Sequence, residues 1–220
     1  MISGKPHPRH SLGCAVHVRL LLALLAVFLS APALAAWDVA ALMTALASHP
    51  SGKARFTETK TLAMLNAPVV STGELVYAPP DRLEKNTLTP KPESMVVERD
   101  TLTLERDGRK RELRLQQYPE ILSIVQAVRG ALLGNRSLLE QSYALALHGS
   151  RQDWRLVLTP LDAHLQRWVK QITVTGKDGE ILGIETAQAD GDRSVLQIEP
   201  LPQPSQQTPP ASSPASGQAE

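Results

Sequence analysis

His49, His148 and His164 are the histidines beyond residue 35, and none has the company that catalysis needs. His49 sits at the expected end of a helix, His148 at the end of a strand and His164 in a loop. No two share metal-ligand spacing, and there is no His-Glu-x-x-His. Neither a Gly-x-Ser-x-Gly elbow nor a glycine-rich phosphate loop occurs. Glu98 and Asp100 come nearest to a carboxylate pair, and they read as a solvated strand end. A basic group, Arg106, Arg109, Lys110 and Arg111, surrounds Asp107-Gly108. Its plain reading is a solvated hairpin tip; its functional reading is a docking patch for an acidic partner. The residues therefore point away from an enzyme, and they imply no metal and no cofactor.

The two ends of the chain are not expected to join a fold. Lys5, Arg9 and Arg19 precede an apolar run over residues 20–29, too short to span a bilayer. Ala33-Leu34-Ala35 then satisfies the small-x-small rule. Residues 1–35 read as a secretory signal peptide, cut after Ala35. Ala36 and Trp37 follow where a lipid-anchored protein would need a cysteine. The single cysteine, Cys14, lies inside the signal, so no thiol, disulfide or cysteine metal site is expected afterwards. The other end, residues 201–220, is rich in Pro, Gln, Ser and Ala. It offers too little apolar surface to offset the entropy of ordering, and it reads as a disordered tail. Residues 36–200 remain as one domain.

Charge excludes little but is informative. The chain holds 23 Lys and Arg against 22 Asp and Glu, and the signal carries basic residues only. The rest is close to neutral, so neither nucleic acid nor an anionic membrane surface is an expected partner.

The elements that position these residues follow from periodicity. Val39, Leu42, Met43, Leu46 and Ala47 recur at helical spacing, with Pro50 and Gly52 closing the run. The period then falls to two. Thr57, Thr59 and Thr61 alternate with Phe56, Glu58, Lys60 and Leu62. Further strands are expected over 69–77, 82–88, 94–98, 101–105 and 110–115, with Asp107-Gly108 as the clearest hairpin turn. Ile121, Leu122, Ile124, Val125, Val128, Leu132 and Leu133 return to helical spacing, and Gly134-Asn135 ends that helix. A short helical piece is expected through Leu138 and Leu139. Strands resume over 143–148, 154–159, 168–175, 180–186 and 194–199. Short loops join nearly all of the roughly eleven strands, so neighbours are antiparallel; the link 160–166 is the long exception. A sheet this wide must curl, and a helix with a broad apolar face must cover its concave side.

Four segments resemble the periplasmic outer-membrane lipoprotein carrier family, LolA-like. Ala54-Arg55-Phe56-Thr57-Glu58-Thr59-Lys60 is similar to the family's first strand. Residues 73–83, Gly-Glu-Leu-Val-Tyr-Ala-Pro-Pro-Asp-Arg-Leu, resemble its Gly-x-Leu strand and return. Residues 154–160 resemble a late strand ending in Thr-Pro, and Ile172-Thr173-Val174 through Asp178-Gly179 and Ile181 resemble the closing hairpin. Their order spans about residues 37–201. Pro79 stands where the family usually carries a basic residue, Arg82 is not its equivalent, and Leu83-Glu84-Lys85 replace an Arg-Trp or Asn-Trp step.

The resemblance implies an α+β fold: an antiparallel curled β-sheet, an incomplete or half β-barrel, with an apolar cavity covered by helices. It implies a soluble periplasmic carrier, expected to act as a monomer. Its cargo would be a lipoprotein or another acyl lipid, such as a glycolipid or polyene pigment intermediate. Its partners would be an inner-membrane exporter and an outer-membrane receptor. A sensor of lipid or lipoprotein is the alternative. The inward face expected to line the cavity comprises Phe56, Leu75, Tyr77, Leu83, Met95, Val97, Leu102, Leu104, Leu113, Leu156, Leu158, Ile172 and Val174 from strands, with Val125, Val128 and Leu132 from the central helix. A register error of one residue would invert any strand's set.

Overall fold

The computed structural model describes residues 37–48 and 52–202. The expected signal peptide, His49 and nearly all of the expected tail lie outside the described residues. An α-helix, α1 (Val39–Ala47), opens the fold, capped by Asp38, whose Oδ1 accepts from the Ala41 N–H at 2.8 Å. Six strands follow: β1 (Gly52–Thr61), β2 (Val69–Ala78), β3 (Arg82–Thr89), β4 (Glu93–Glu98), β5 (Thr101–Arg106) and β6 (Arg109–Arg114). Helix α2 (Pro119–Leu132) and the short α3 (Arg136–Glu140) come next. Then β7 (Tyr143–Ser150), β8 (Asp153–Pro160), a short α4 (Ala163–Gln166), β9 (Val169–Lys177), β10 (Glu180–Gln188) and β11 (Arg193–Pro200) complete it.

All eleven strands form one antiparallel curled sheet in the order β6-β5-β4-β3-β2-β1-β11-β10-β9-β8-β7. Two meanders are joined where the first strand pairs with the last, with Phe56 opposite Ile198. Periodicity identifies each strand but not this closure, which brings together residues far apart in the chain. The edges are therefore β6 and β7, which are consecutive strands. The segment between them must cross the width of the sheet, and that segment is α2 and α3. It leaves β6 at Arg114, at the end of the sheet marked by Gly52. It reaches β7 at Tyr143, opposite Pro160, at the end marked by Lys60.

Local chemistry explains the turn between the helices. Pro119 starts α2, with Glu120 in its first turn and Arg129 in its last. Gly134 adopts φ +59°, its N–H donates to the Ala131 carbonyl, and the Asn135 N–H donates to the Gly130 carbonyl. This is the left-handed helix stop that glycine favours. A Cβ at Gly134 would come within 2.1 Å of the Met43 carbonyl oxygen, so the turn also lets α1 approach. Asn135 then caps α3.

Two expectations change. Leu115 leaves the strand and enters a 3-10 turn (Leu115–Gln117), where it is fully buried. The link after Pro160 holds α4, whose Asp162 cap accepts from the His164 N–H. Both are short helical pieces, below the length at which periodicity becomes legible.

Candidate functional site

Strand partners in register share a face, and the registers place the thirteen strand residues expected to point inward on one face. Tyr77, Leu83, Val97, Leu102 and Leu113 form one row across β2–β6. Leu75, Met95 and Leu104 stand in the next, with Lys85 among them. On the other meander, Val174 faces Leu156 and Ile172 faces Leu158. Phe56 joins the two halves through Ile198.

Helix α2 meets this face at both ends. Val125 packs with Val97, Leu102 and Leu115, supported by Ile121 and Leu122. Ala127, Ala131 and Leu132 pack instead with the cluster of Trp154, Leu156, Leu158 and Val174, which also receives Leu42, Met43 and Leu46 of α1. Val128 lies between, half-buried.

The expected open cavity is not present over β7–β9. Leu156, Leu158, Ile172 and Val174 are at most 2 % exposed, because helical side chains fill the space above them. Apolar surfaces that face each other across a hollow bury one another when nothing else occupies it. The face differs over β2–β5, where Leu75, Leu83, Met95 and Leu104 are only half-buried. The path of α2 leaves the Lys60 end of this meander aside.

A polar contact holds the helix over the other end. Arg129 of α2 donates to the Asp81 carbonyl in the β2–β3 turn at 2.5 Å. Its Nε and the Tyr77 hydroxyl are buried without partners. Burial pushes the Arg129 guanidinium below its ordinary value, while Asp81, Asp100 and Tyr77 pull the other way. Burial likewise pushes the Tyr77 hydroxyl up. The tether is thus one hydrogen bond among under-satisfied groups, a weak fastening for a buried helix.

Sequence reading passed over the most unusual group on the apolar face. Glu58 is 7 % exposed and lies on the same face as Phe56. Lys85 Nζ approaches its carboxylate at 2.5 Å and Lys60 Nζ at 3.5 Å. Ser194 donates to it at 2.8 Å and Ser71 at 3.4 Å. Lys85 starts two rows from Glu58, in the Leu75 row, and reaches back across the Phe56 ring, its ammonium 5.0 Å from the ring centre. Gly73 makes room: a Cβ there would come within 2.9 Å of the Phe56 ring and collide with the Asn86 carbonyl. Burial pushes the Glu58 carboxyl up, but Lys85, Ser194 and Lys60 outweigh it and hold it below the ordinary value. The signal was present in the alternation, which sets Phe56, Glu58 and Lys60 on one side.

The remaining candidates stay apart. His148 and His164 are exposed on separate elements, and among the described residues no group of three metal-ligating side chains forms. Glu98 pairs with Arg82 at 3.0 Å, while the Asp100 carbonyl accepts from the Leu115 N–H. Two depressions, of about 570 and 440 Å³, open mainly on the opposite, polar face. The larger contains the two-pronged Arg193–Glu185 pair, with bonds of 2.7 and 2.8 Å. Among the described residues no helix is long and apolar enough to cross a membrane.

A family model described as outer membrane lipoprotein carrier protein, LolA-like, matches residues 31–198. No curated protein matches the chain. Among solved structures, the chain is similar to a LolA superfamily protein from Nitrosomonas europaea, with 11% identity, 74% of this chain and 93% of that chain covered, and a TM-score of 0.41. It is similar to the lipoprotein LppX of Mycobacterium tuberculosis, with 8% identity, coverage of 73% and 92%, and a TM-score of 0.40. It is also similar to MucB in the MucA/MucB complex of Pseudomonas aeruginosa, with 18% identity, coverage of 77% and 59%, and a TM-score of 0.42. Likenesses this distant carry no argument about function.

Proposed function

The chain belongs to the outer membrane lipoprotein carrier, LolA-like, family, and on that premise we propose that it is a periplasmic carrier for the acyl chains of a lipoprotein or lipid. One observation carries the reading. Two apolar clusters, one on each meander, share one face of the sheet, and both are packed by an amphipathic helix that lies between the two sheet edges in sequence and is tied at Arg129. In this reading α2 serves as a stand-in for cargo. Its apolar stripe fills the face when no acyl chain is bound and swings away when one is.

Magnitudes support such an exchange. An acyl chain leaving water gains about 0.8 kcal/mol per buried CH₂, so a chain of about 16 carbons gains on the order of 12 kcal/mol before costs. Displacing α2 exposes apolar surface of its own, so the net affinity is far smaller. That suits a carrier, which must release what it binds. A lining of Leu, Val, Ile and Met adapts to chains of different shape. An exporter on the inner membrane and a receptor on the outer membrane would supply and accept the cargo. The reading assigns no catalytic residue.

The test is recovery of cargo. The protein is purified from periplasm without detergent, and bound species are identified by mass spectrometry. Co-purifying lipopeptide or acyl lipid supports the carrier. A protein that stays empty, even after incubation with membranes from its own host, overturns it.

A further inference from the structure

We infer that the cargo carries an anionic head group, a carboxylate or a phosphate, held at the Lys60 end of the apolar face by Lys85 and Lys60. The inference rests on the carrier reading above and narrows its substrate class.

The geometry begins with a well-partnered carboxylate. Glu58 meets two ammoniums and two hydroxyls, three of them at Oε2 and Ser194 alone at Oε1. Its single negative charge is already opposed by two ammoniums, so a cationic head would add a third positive charge beside it. The ammoniums are in the opposite state. Each has three donors, and within this group each meets one anion that it must share. The side chains of Lys85 and Lys60 remain 23% and 47% exposed. The pair leaves one uncompensated positive charge at the edge of an apolar surface.

The same face continues this charge toward β6. The registers align Glu93 with Arg106 and Arg106 with Arg109, and Leu104 with Arg111. Arg106 pairs with Glu93 at 3.6 Å. Arg109 and Arg111 have no ion-pair partner among the described residues. Cations thus outnumber anions along this rim of the face, at the Lys60 end of the first meander. Below this rim stand Leu75, Met95 and Leu104, half-buried and in register with Lys85 or its neighbours.

An amphiphile laid on this meander has one favourable direction. Its chain lies along Leu75, Met95 and Leu104, and its head reaches the ammoniums. An acyl chain with a neutral head gains the first part alone. One ending in a carboxylate or phosphate gains charge-assisted hydrogen bonds as well, in a site partly screened from water. The Lys85 ammonium, held over the Phe56 ring and against Glu58, meets the head already placed, with little freedom left to lose.

The test compares heads on one chain. Binding of palmitate, hexadecyl phosphate and hexadecanol to the mature protein is measured by calorimetry, with Lys85→Met, Lys60→Met and Glu58→Gln variants checked by thermal melting. Palmitate or hexadecyl phosphate should bind at least about tenfold more tightly than the alcohol, the scale of one charged hydrogen bond. Preference for one anion over the other separates a fatty acid from a phospholipid source. Lys85→Met should remove most of that preference, read as the ratio of anion to alcohol binding within the variant, and Lys60→Met should weaken it. Glu58→Gln should strengthen anion binding, because it frees both ammoniums, and this rise is not expected from simple misfolding. Equal binding of all three ligands, unaltered in the variants, overturns the inference and leaves the carrier standing. Binding of none of them removes the carrier reading itself.

Discussion

Arg129, near the end of α2, donates a hydrogen bond to the backbone carbonyl of Asp81 in the turn between β2 and β3. It ties the helix that crosses the apolar face to the strand pair beneath it. The bond lies among a buried Nε and a buried Tyr77 hydroxyl, neither of which has a partner. A helix held this way is fixed chiefly by apolar packing, and acyl chains compete for that same packing.

Arg129→Met is expected to release the helix without unfolding the sheet. The lost bond is worth about 1–3 kcal/mol, reduced by removing a poorly solvated cation. Amide exchange in α2 should quicken by about tenfold, while β8 and β9 keep their protection. Unchanged exchange in α2 would show that Arg129 is no fastening.

Movement of α2 is itself open to a direct test. Val97 and Val125 pack together between β4 and α2, and the chain's single cysteine is Cys14. Replacing both valines by cysteine in a chain that starts after residue 35, then joining them with a short thiol-reactive linker, should hold the helix down. Uptake of a fluorescent acyl probe should fall by more than about tenfold, and a cleavable linker should restore it on reduction. Full uptake by the linked protein would mean that cargo enters elsewhere.

Glu58 gives a pH dependence of defined sign. Its carboxyl is held below its unfolded value. The stability it contributes is therefore complete above about pH 4.3, the ordinary value for glutamate, and is lost as pH falls through the lower folded value. Denaturant unfolding of the native protein should weaken below that pH more steeply than that of Glu58→Gln. Parallel curves for the two proteins would show that the Lys85 pair adds nothing to stability.

Leu158 and Leu104 share a face but should report different things. Leu158 is fully buried under helical side chains, and Leu158→Ala should cost about 2–5 kcal/mol of stability. Leu104 is half-buried on the first meander, at the margin of the cluster that Val125 of α2 joins, so Leu104→Ala should cost about 1 kcal/mol and weaken acyl binding more than it weakens the fold. Chemical denaturation and probe titration separate the two. A Leu104→Ala protein that binds the probe as before would argue against cargo on that meander.

The sequence by itself determined the alternation and therefore the facing of each strand. From Phe56 through Val174, a period of two sorted inward from outward residues, since successive strand side chains point to opposite faces and only one face is apolar. It also determined α2, through the helical spacing of Ile121 to Leu133 and its stop at Gly134. Tertiary structure alone decided what these faces meet. The pairing of β1 with β11 sets Ser194 against Glu58 across 136 residues of sequence, and no local period encodes a partner so distant. Lys85 reads from its strand, Arg82-Leu83-Glu84-Lys85-Asn86-Thr87, as one polar residue among several. It reaches Glu58 only because Gly73 leaves space for the Phe56 ring beneath it. Whether the apolar face stood open or filled also lay beyond periodicity, because an amphipathic stripe is the same whether it covers a hollow or packs into it.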